Sequence, residues 1–362
     1  MSFFETLTLN GVTYSGEALV RFVDDKLKAE ELKEYEKSLY LFIREWISYS
    51  NIISVNTSGT TGEPKTISIE KSRAIASAKM TCEYFGLNEN TKALLCLSTE
   101  FIGGKMMIVR AFVSGMNLIT VETNGNPLQE INQRIDFVAM APLQVQNSLE
   151  NEETSMKFLD IPDVIIGGAS VSPILENRLS KCSNNLYSTF AMTETLSHIA
   201  LKKLSGKDKK DYYETLPGVS ISTDDRKCLI INAPSLNDKT IVTNDMVEII
   251  NPTHFRWLGR FDNVINSGGI KIHPEIVENK LAELIPNHRF FISSVPDEKL
   301  GQKVIIVIES DSTFDTNSLK NQFGKVLSKY EIPKEYFVID KFLETASGKV
   351  RKGDTLKIAS II

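Results

Sequence analysis

Short apolar segments alternate with segments of helical character along much of the chain, and this alternation constrains the fold more than any other feature. The apolar segments have the length and composition of strands and cover residues 93–97, 117–121, 137–140 and 164–166. The helical pattern covers residues 71–85, 105–113 and 173–179. Apolar strands separated by helices predict an α/β fold whose strands are buried on both faces of the sheet.

The pattern changes twice in the second half of the chain of 362 residues. From residue 228 to 258 the helical segments disappear, and strand-like runs at 229–232, 241–243 and 247–250 replace them. Pro274 then opens a helix, strands follow near 290–293, 304–309 and 336–339, and a further helix covers 318–330. We therefore predict a large N-terminal domain of mixed β-sheets packed with helices, residues 1–261, and a small α+β C-terminal domain, residues 262–362.

Composition excludes several classes of protein. Hydrophobic residues make up 42% of the chain and charged residues 24%, which predicts a buried core rather than disorder. A net charge of -5 argues against a nucleic-acid partner. No apolar run reaches the ~18 residues of a membrane-spanning helix, and residues 1–5 lack the basic start of a secretory signal. We expect a cytoplasmic protein without membrane insertion.

The residues of familiar metal and hydrolase sites are scattered or missing. Four cysteines and four histidines lie far apart in the sequence, which predicts neither a disulfide framework nor a zinc site of neighbouring ligands. The chain also contains no G-x-S-x-G segment, which serine hydrolases of the α/β type carry. The chemistry must therefore reside in other motifs.

A segment rich in glycine and hydroxyl groups follows the apolar run 52–55. Its candidate ligand-binding residues are Thr57, Ser58, Gly59, Thr60, Thr61, Gly62 and Lys65. Glycine frees backbone N–H groups to approach an anion, hydroxyls donate hydrogen bonds, and lysine adds a positive charge, so the segment suits a phosphate-binding loop. Its spacing departs from the Walker A motif, which disfavours a P-loop kinase or GTPase. Alone, the segment could equally be a polar turn after a strand.

Further motifs follow this loop in a fixed order. They contain Gly168 and Ala169 in 167–169, Thr193 and Glu194 in 190–194, Asp245 in 243–245, Arg260 and Asp262 in 259–262, Gly268, Gly269 and Lys271 in 268–272, and Lys349 in 347–351. Together with the loop at 57–65 they resemble the adenylate-forming superfamily of acyl- and aryl-CoA ligases, luciferases and peptide-synthetase adenylation domains.

The resemblance implies a two-step reaction with ATP, Mg²⁺ and coenzyme A. A carboxylate attacks the α-phosphate of ATP and releases pyrophosphate, and the thiol of coenzyme A then displaces AMP from the acyl-adenylate. Positioning and neutralisation of charge dominate such phosphoryl chemistry. The partners implied are small molecules: an aromatic carboxylic acid, ATP and coenzyme A, or a carrier protein in place of coenzyme A.

The resemblance also implies a role for each motif residue. In the order of the chain, the loop from Thr57 to Lys65 would bind phosphate, Gly168 and Ala169 would form the turn beside adenine, Thr193 would contact the α-phosphate, Glu194 would hold Mg²⁺, and Asp245 and Arg260 would bind the ribose. Lys349 would stabilise the negative charge that builds in the first step. Asp262 would be the hinge about which a mobile C-terminal domain swings, bringing the turn at Gly268, Gly269 and Lys271 to the pantetheine of coenzyme A.

Two features depart from the family pattern. Asn244 occupies a position where the family usually has glycine, although asparagine also tolerates left-handed backbone angles. The loop at Thr57 comes early in the chain, so we expect one N-terminal subdomain to be reduced to roughly fifty residues.

The acid substrate follows from a second, narrower resemblance. The compact layout, and 192–195 leading into Ser197, resemble the o-succinylbenzoate–CoA ligases of menaquinone biosynthesis. Residues 101–107 lie where the family places an acyl-pocket motif, here without its histidine. We hypothesise that Lys105, or alternatively Arg110, pairs with the second carboxylate of a dicarboxylic aromatic acid, and that His198 either lines the same pocket or fills the core. The alternatives are an amphipathic helix that exposes both cations, another aryl or fatty acid, and a non-catalytic nucleotide-binding protein.

Overall fold

The computed structural model describes residues 5–57, 65–286, 288–311, 316–344 and 350–361. The chain divides into two units that are described separately. The first unit contains Met1–Val171, Arg178–Ser220 and Asn232–Ile241, and the second contains Ser172–Asn177, Ile221–Ile231 and Val242–Ile362. The sequence predicts a domain boundary at a hinge between residues 261 and 262. This boundary stays a prediction.

A mixed sheet forms the centre of the first unit. The strands in this part of the chain are β1 (Thr6–Leu9), β2 (Val12–Ser15), β3 (Ile52–Thr57), β4 (Lys65–Glu70), β5 (Lys92–Leu95), β6 (Asn117–Thr120), β7 (Phe137–Met140), β8 (Asp163–Ile166), β9 (Asn185–Ala191), β10 (His198–Lys203) and β11 (Tyr213–Thr215). Nine of them are neighbours in the order β11-β10-β9-β8-β7-β5-β6-β1-β2, and β3 and β4 form a separate hairpin. The pairs from β9 to β1 are parallel. All four residues of β7 are buried, as a strand covered on both faces requires.

Helices of the first unit lie between these strands. They are α1 (Gly16–Leu27), α2 (Glu34–Ile47), α3 (Lys71–Phe85), α4 (Ile102–Ser114), α5 (Pro142–Glu150) and α6 (Glu152–Leu159), and α7 (Pro173–Leu179) follows along the chain. The bounds of α3 and α7 match the prediction, whereas α4 starts before residue 105. Its first turn holds Gly104, where an added Cβ would lie 2.4 Å from the carbonyl oxygen of Ser98. Because glycine is unfavourable in helices, the sequence pattern did not indicate that the helix begins before residue 105.

The second unit begins with a run of neighbouring strands. These are β12 (Ser220–Thr223), β13 (Cys228–Asn232), β14 (Ile241–Asn251) and β15 (His254–Arg260), which are adjacent in that order. The strands predicted at 241–243 and 247–250 are one continuous strand, β14. Its pairing with β15 shifts register between Met246 and Val247, which places a β-bulge in this hairpin.

The rest of the second unit is an α+β arrangement, as predicted. It contains β16 (Ile265–Ser267), β17 (Ile270–Ile272), α8 (Pro274–Leu281), β18 (Arg289–Asp297), β19 (Gly301–Glu309), α9 (Thr316–Val326), β20 (Glu335–Ile339) and α10 (Lys352–Ile358). The sheet order is β17-β16-β19-β18, with β20 beside β19. Alternate residues of β19 pack on opposite faces: Ile306 joins a cluster with Val277 and Phe323, whereas Ile305 joins one with Phe342 and Leu356.

No helix in the described ranges of either unit is both long enough and apolar enough to cross a membrane. The longest of these described helices, α3, has fifteen residues and carries charged side chains along its length. A spanning helix needs about 20 predominantly apolar residues.

Candidate active site

Part of the predicted site lies outside the described residues. This applies to Ser58, Gly59, Thr60, Thr61 and Gly62 of the predicted phosphate loop, and to Lys349. Thr57 and Lys65 end β3 and begin β4, and they are the last backbone pair of this antiparallel hairpin. The role of the predicted loop in phosphate binding stays a prediction.

Two helices bind the backbone of β3 close to this connection. Ser54 donates its backbone N–H to Glu45 Oε1 at 2.7 Å, and its carbonyl oxygen accepts from Lys105 Nζ at 2.5 Å. The ammonium also lies 5.1 Å from the centroid of the Phe42 ring, a cation–π distance. Burial lowers the pKa of Lys105. Side chains thus satisfy both polar backbone groups of Ser54, and contact of Lys105 with a substrate stays a prediction.

Arg110 is buried on the same helix, α4, with only 2% of its surface exposed. Its Nη2 donates to Ser197 Oγ at 2.9 Å, Nη1 lies 3.5 Å from Met107 Sδ, and Nε is buried without a hydrogen-bond partner. Burial lowers the pKa of Arg110 to about 10, and no carboxylate of the described residues forms a salt bridge with it. Because Lys105 is buried too, the alternative of a helix that exposes both cations is wrong.

A chain of hydrogen bonds continues from Arg110 into the core. Ser197 Oγ lies 3.3 Å from His198 Nδ1, and His198 Nε2 lies 3.2 Å from Thr81 Oγ1. Thr81 in turn donates to the carbonyl of Ser77 at 3.3 Å. Thr81 uses its single proton on the Ser77 carbonyl, so it accepts from His198 Nε2, and Nδ1 of the neutral ring accepts from Ser197. Ser197 in turn accepts from Arg110, which can only donate. The hydroxyl protons of Ser197 and Thr81 therefore both have acceptors, whereas the Ser77 hydroxyl is buried without a hydrogen-bond partner.

The electrostatics agree with a neutral His198. Burial, and to a smaller extent the charge of Arg110, hold the pKa of His198 well below 6.5. A second proton on Nδ1 would also remove the acceptor to which the Ser197 hydroxyl donates. His198, which the sequence suggested as a pocket residue, therefore orients Ser197 as a neutral acceptor.

An unusual turn places Ser197 beside Arg110. Leu196 has φ 67° and ψ -50°, and the N–H of Ser197 donates to the carbonyl of Thr195 at 2.7 Å. These values describe a γ-turn of the positive-φ kind, which is rare and strained for a residue other than glycine. The hydroxyl of Thr195 accepts from the N–H of Met192 and lies 2.9 Å from the carbonyl of Ser197, which fixes the turn.

Thr193 and Glu194 precede this turn in a short 3₁₀ helix, Thr193–Thr195. Both side chains are exposed, and the Glu194 carbonyl accepts from Asn237 Nδ2 at 3.4 Å. An exposed carboxylate fits the manner in which Mg²⁺ binds, through one or two carboxylates together with substrate phosphates. The phosphate and metal roles of this pair stay predictions.

Gly168 and Ala169 follow β8, a parallel strand, at its carboxyl end. Gly168 adopts φ +83° and is exposed, whereas the neighbouring Gly167 lies so close to β9 that a Cβ would approach Thr189 Oγ1 to 2.3 Å. Open α/β sheets bind ligands at the carboxyl ends of their strands, so an accessible turn here suits the predicted contact with adenine.

Asp245 lies opposite Arg260 in the β14–β15 hairpin of the second unit. Its Oδ2 is 3.6 Å from Arg260 Nη1, and its Oδ1 accepts from Trp257 Nε1 at 3.0 Å. The pair predicted to bind ribose is thus adjacent within this unit. Sequence reasoning missed Trp257, because only the register shift in this hairpin reveals the contact.

The predicted hinge follows directly in a 3₁₀ turn, Phe261–Asn263. Asn244 Nδ2 donates to Asp262 Oδ2 at 3.1 Å, and Asn244 Oδ1 accepts from Arg226 Nη1 at 3.0 Å. The Arg226 guanidinium also lies 5.1 Å from the centroid of the Phe261 ring. Asn244 stands where the family usually has glycine, and it connects the predicted hinge residue Asp262 to the turn before β13. Hinge motion stays a prediction.

Gly268 and Gly269 form the tight turn of the β16–β17 hairpin. Their φ angles of +60° and +84° suit the two central residues of a type I′ turn, which favours glycine at both positions. Ser267 and Ile270 flank the turn as a backbone pair, and Lys271 is exposed on β17. The turn explains the glycines structurally, and a role with coenzyme A stays a prediction.

Comparison with protein-family models matches residues 21–233 to the AMP-binding enzyme family. Among proteins of known name, the chain is similar to the 2-succinylbenzoate–CoA ligase of Staphylococcus epidermidis, with 25% identity over 349 residues, covering 89% of this chain and 72% of the relative. It is also similar to that of Bacillus subtilis, with 24% identity over 381 residues, covering 94% of this chain and 76% of the relative.

Solved structures show similar folds. An acyl-CoA synthetase (AMP-forming)/AMP-acid ligase II-like protein from Dyadobacter fermentans is 36% identical, with a TM-score of 0.63 over 92% of this chain and 97% of that protein. The O-succinylbenzoate coenzyme A synthetase of Bacillus subtilis, solved with ATP and a magnesium ion, is 20% identical, with a TM-score of 0.71 over 83% of this chain and 69% of that one. At this second identity the likeness concerns the fold alone.

Proposed function

This chain belongs to the AMP-binding enzyme family, the AMP-forming acid–CoA ligases, and we propose that its acid is an aromatic compound with two carboxylates, o-succinylbenzoate being the one favoured. The motif resemblance and the α/β fold class predicted from the sequence are confirmed. The identity of the acid is the part that we propose in addition to the family and the fold class. Relatives named 2-succinylbenzoate–CoA ligase support it at about a quarter identity.

The observation that carries this proposal is the buried guanidinium of Arg110. A buried charge is costly unless an opposite charge pairs with it, and the described residues supply no carboxylate to Arg110. A carboxylate of the ligand would supply the missing negative charge, and a guanidinium can bind a carboxylate through two parallel hydrogen bonds. Ser197 and His198 keep Arg110 in a defined orientation for that contact. A monocarboxylic acid would leave the charge of Arg110 unpaired, because its only carboxylate is the one that reacts with ATP.

The reacting carboxylate of the acid attacks the α-phosphate of ATP, so its second carboxylate remains unchanged and serves for recognition. In the proposed site, Lys349 stabilises the charge between the acid and the α-phosphate, and Asp245 with Arg260 binds the ribose. Mg²⁺ near Glu194 would supply charge neutralisation on the phosphates. Coenzyme A then accepts the acyl group through its thiol. Lys105 remains the second candidate for the recognition of the substrate carboxylate.

The test is acid-dependent exchange of labelled pyrophosphate into ATP. The panel contains o-succinylbenzoate, benzoate, a coumarate and a medium-chain fatty acid, each with and without coenzyme A. Exchange with o-succinylbenzoate alone supports the proposal. If exchange is fastest with a monocarboxylic acid, the proposed role of Arg110 is contradicted and that acid becomes the candidate substrate. If none of the acids supports exchange, the proposed substrate class is contradicted.

A further inference from the structure

Trp257 donates a hydrogen bond to a carboxylate that is almost fully buried. Its indole Nε1 lies 3.0 Å from Asp245 Oδ1, and Asp245 is 9% exposed. The other oxygen, Oδ2, faces Arg260 Nη1 at 3.6 Å, which is longer than a hydrogen bond. The indole N–H is thus the closer of the two side-chain donors, and it determines the rotation of the carboxylate about its Cβ–Cγ bond.

A β-bulge makes this contact possible. In a regular strand, residues 257 and 260 would point to opposite faces because their separation is odd. The pairing instead runs from Asp245 opposite Arg260 to Val247 opposite Trp257, which leaves Leu258 as the extra residue. Trp257, Asp245 and Arg260 therefore share one face of the hairpin.

Residue 259, beside the bulge, must be glycine because of both its backbone conformation and its close packing. Gly259 adopts φ +136°, a conformation that favours glycine, and an added Cβ would lie 2.4 Å from Glu275 Oε2. Its position is fixed by packing against α8 within the same unit. The bulge is therefore a stable part of the hairpin, and the direction of Trp257 follows from it.

We infer that Trp257 is a positioning residue for the nucleotide ribose. This inference rests on the proposed function only in taking Asp245 as the carboxylate that binds the two ribose hydroxyls. A carboxylate has about four acceptor sites. One is used by the indole N–H and one faces Arg260, so two remain for a pair of neighbouring hydroxyl donors. Trp257 holds the carboxylate in the rotation that directs these sites toward a vicinal diol.

The substitution Trp257→Phe removes the N–H and retains an aromatic ring on the same face. Because hydrogen bonds to charged acceptors are among the stronger ones, we expect the KM for ATP to rise about 10-fold, with kcat and the KM for the acid within about twofold. We also expect the ratio of kcat/KM for ATP to that for 2′-deoxy-ATP to fall severalfold. A merely structural tryptophan would change stability or kcat but not this ratio.

The matched control is Trp46→Phe, the same change at the only other tryptophan of the sequence. Trp46 is buried on α2 against Phe42 and Phe112, so its substitution leaves the hydrogen bond from Trp257 to Asp245 in place. We expect this variant to keep the KM for ATP and the discrimination against 2′-deoxy-ATP. An equal rise in the KM for ATP in both variants would overturn the positioning role.

The Trp46→Phe variant also gives a direct binding assay, because Trp257 is then its single indole. Titration with AMP, without acid or coenzyme A, should change the tryptophan emission in a saturable manner, and 2′-deoxy-AMP and 3′-deoxy-AMP should bind more weakly. Equilibrium dialysis of AMP provides the independent measure of binding. Binding with unchanged emission, or with equal affinity for the deoxy analogues, overturns the inference.

The two proposals fail differently in these experiments. AMP binding that changes the emission, together with no pyrophosphate exchange for any acid, supports the inference about Trp257 and contradicts the proposed substrate. Exchange with o-succinylbenzoate and unchanged emission supports the substrate and overturns the inference. Absence of AMP binding in dialysis overturns the inference, because Asp245 then binds no ribose.

Discussion

Arg110 donates a hydrogen bond to the hydroxyl of Ser197 at 2.9 Å, across 87 positions of sequence. The bond connects helix α4 to the segment directly after the Thr193–Thr195 turn. Because a guanidinium can only donate, Ser197 accepts from Arg110 and keeps its own proton for His198 Nδ1, and His198 Nε2 donates to Thr81. The charge that is proposed to recognise the substrate therefore also orders the polar residues behind it.

Removal of this charge should separate substrate recognition from stability. For Arg110→Met we expect the KM for o-succinylbenzoate to rise about 10- to 100-fold, since a charge-assisted hydrogen bond contributes about 1.5–3 kcal/mol. The free energy of unfolding of the free protein should be unchanged or higher, because an unpaired buried charge is removed. Steady-state kinetics and urea denaturation measure the two effects. Loss of stability without a change in KM would assign Arg110 a structural role.

Lys105→Met is the matched variant on the same helix. The Lys105 ammonium donates to the backbone of Ser54, so its removal leaves a carbonyl without this donor and should lower the free energy of unfolding by about 1–2 kcal/mol. We expect the KM for o-succinylbenzoate to stay within about twofold. The opposite result, an unchanged stability with a raised KM, would show that Lys105 binds the substrate carboxylate.

The buried His198 predicts a pH dependence of stability. Because its pKa is lower in the folded protein than the ordinary 6.5, the unfolded chain takes up the proton more readily. Stability is therefore fully present above pH 6.5 and falls as the pH drops below it, by up to about 1.4 kcal/mol per pH unit for one proton. Urea denaturation at a series of pH values from roughly 5 to 7.5 should show this slope.

His198→Gln isolates that contribution. Glutamine can accept and donate hydrogen bonds in place of the two ring nitrogens but does not titrate. Burial also lowers the pKa of His273, which remains in both proteins and cancels in the comparison. The difference in stability between the two proteins should shrink as the pH falls below 6.5. A difference that stays constant with pH would mean that His198 does not resist protonation in the fold.

The regular elements of the fold could be predicted because their residues carry the pattern locally. Helix α3 has the bounds that its periodicity predicts, and β7 is apolar at all four positions. The start of α4 could not be predicted in this way, because Gly104 is explained only by its contact with the Ser98 carbonyl. Local propensity is overridden where tertiary packing determines the residue.

The site shows the same division. Motif spacing identified Asp245 and Arg260, which the structure places opposite each other. It could not identify Trp257, because the contact depends on a register shift between two strands, and a shift of one residue reverses the face of every following side chain. The hydrogen bonds from Arg110 to Ser197 and from His198 to Thr81 were also beyond it, since they join distant segments through side-chain geometry.

Lys349 carries the last prediction, which the sequence motif alone supports. In Lys349→Ala we expect adenylation, measured as pyrophosphate exchange, to fall by ~10²–10³, the cost of removing one preorganised donor to a developing charge. Formation of the thioester from supplied acyl-adenylate should change only a few-fold, because that step builds no charge between the acid and the α-phosphate. Lys341→Ala, at an exposed lysine nearby in the sequence, is the control and should leave both rates unchanged. Equal losses in the two half-reactions would show that Lys349 supports the enzyme generally and does not act in the first step.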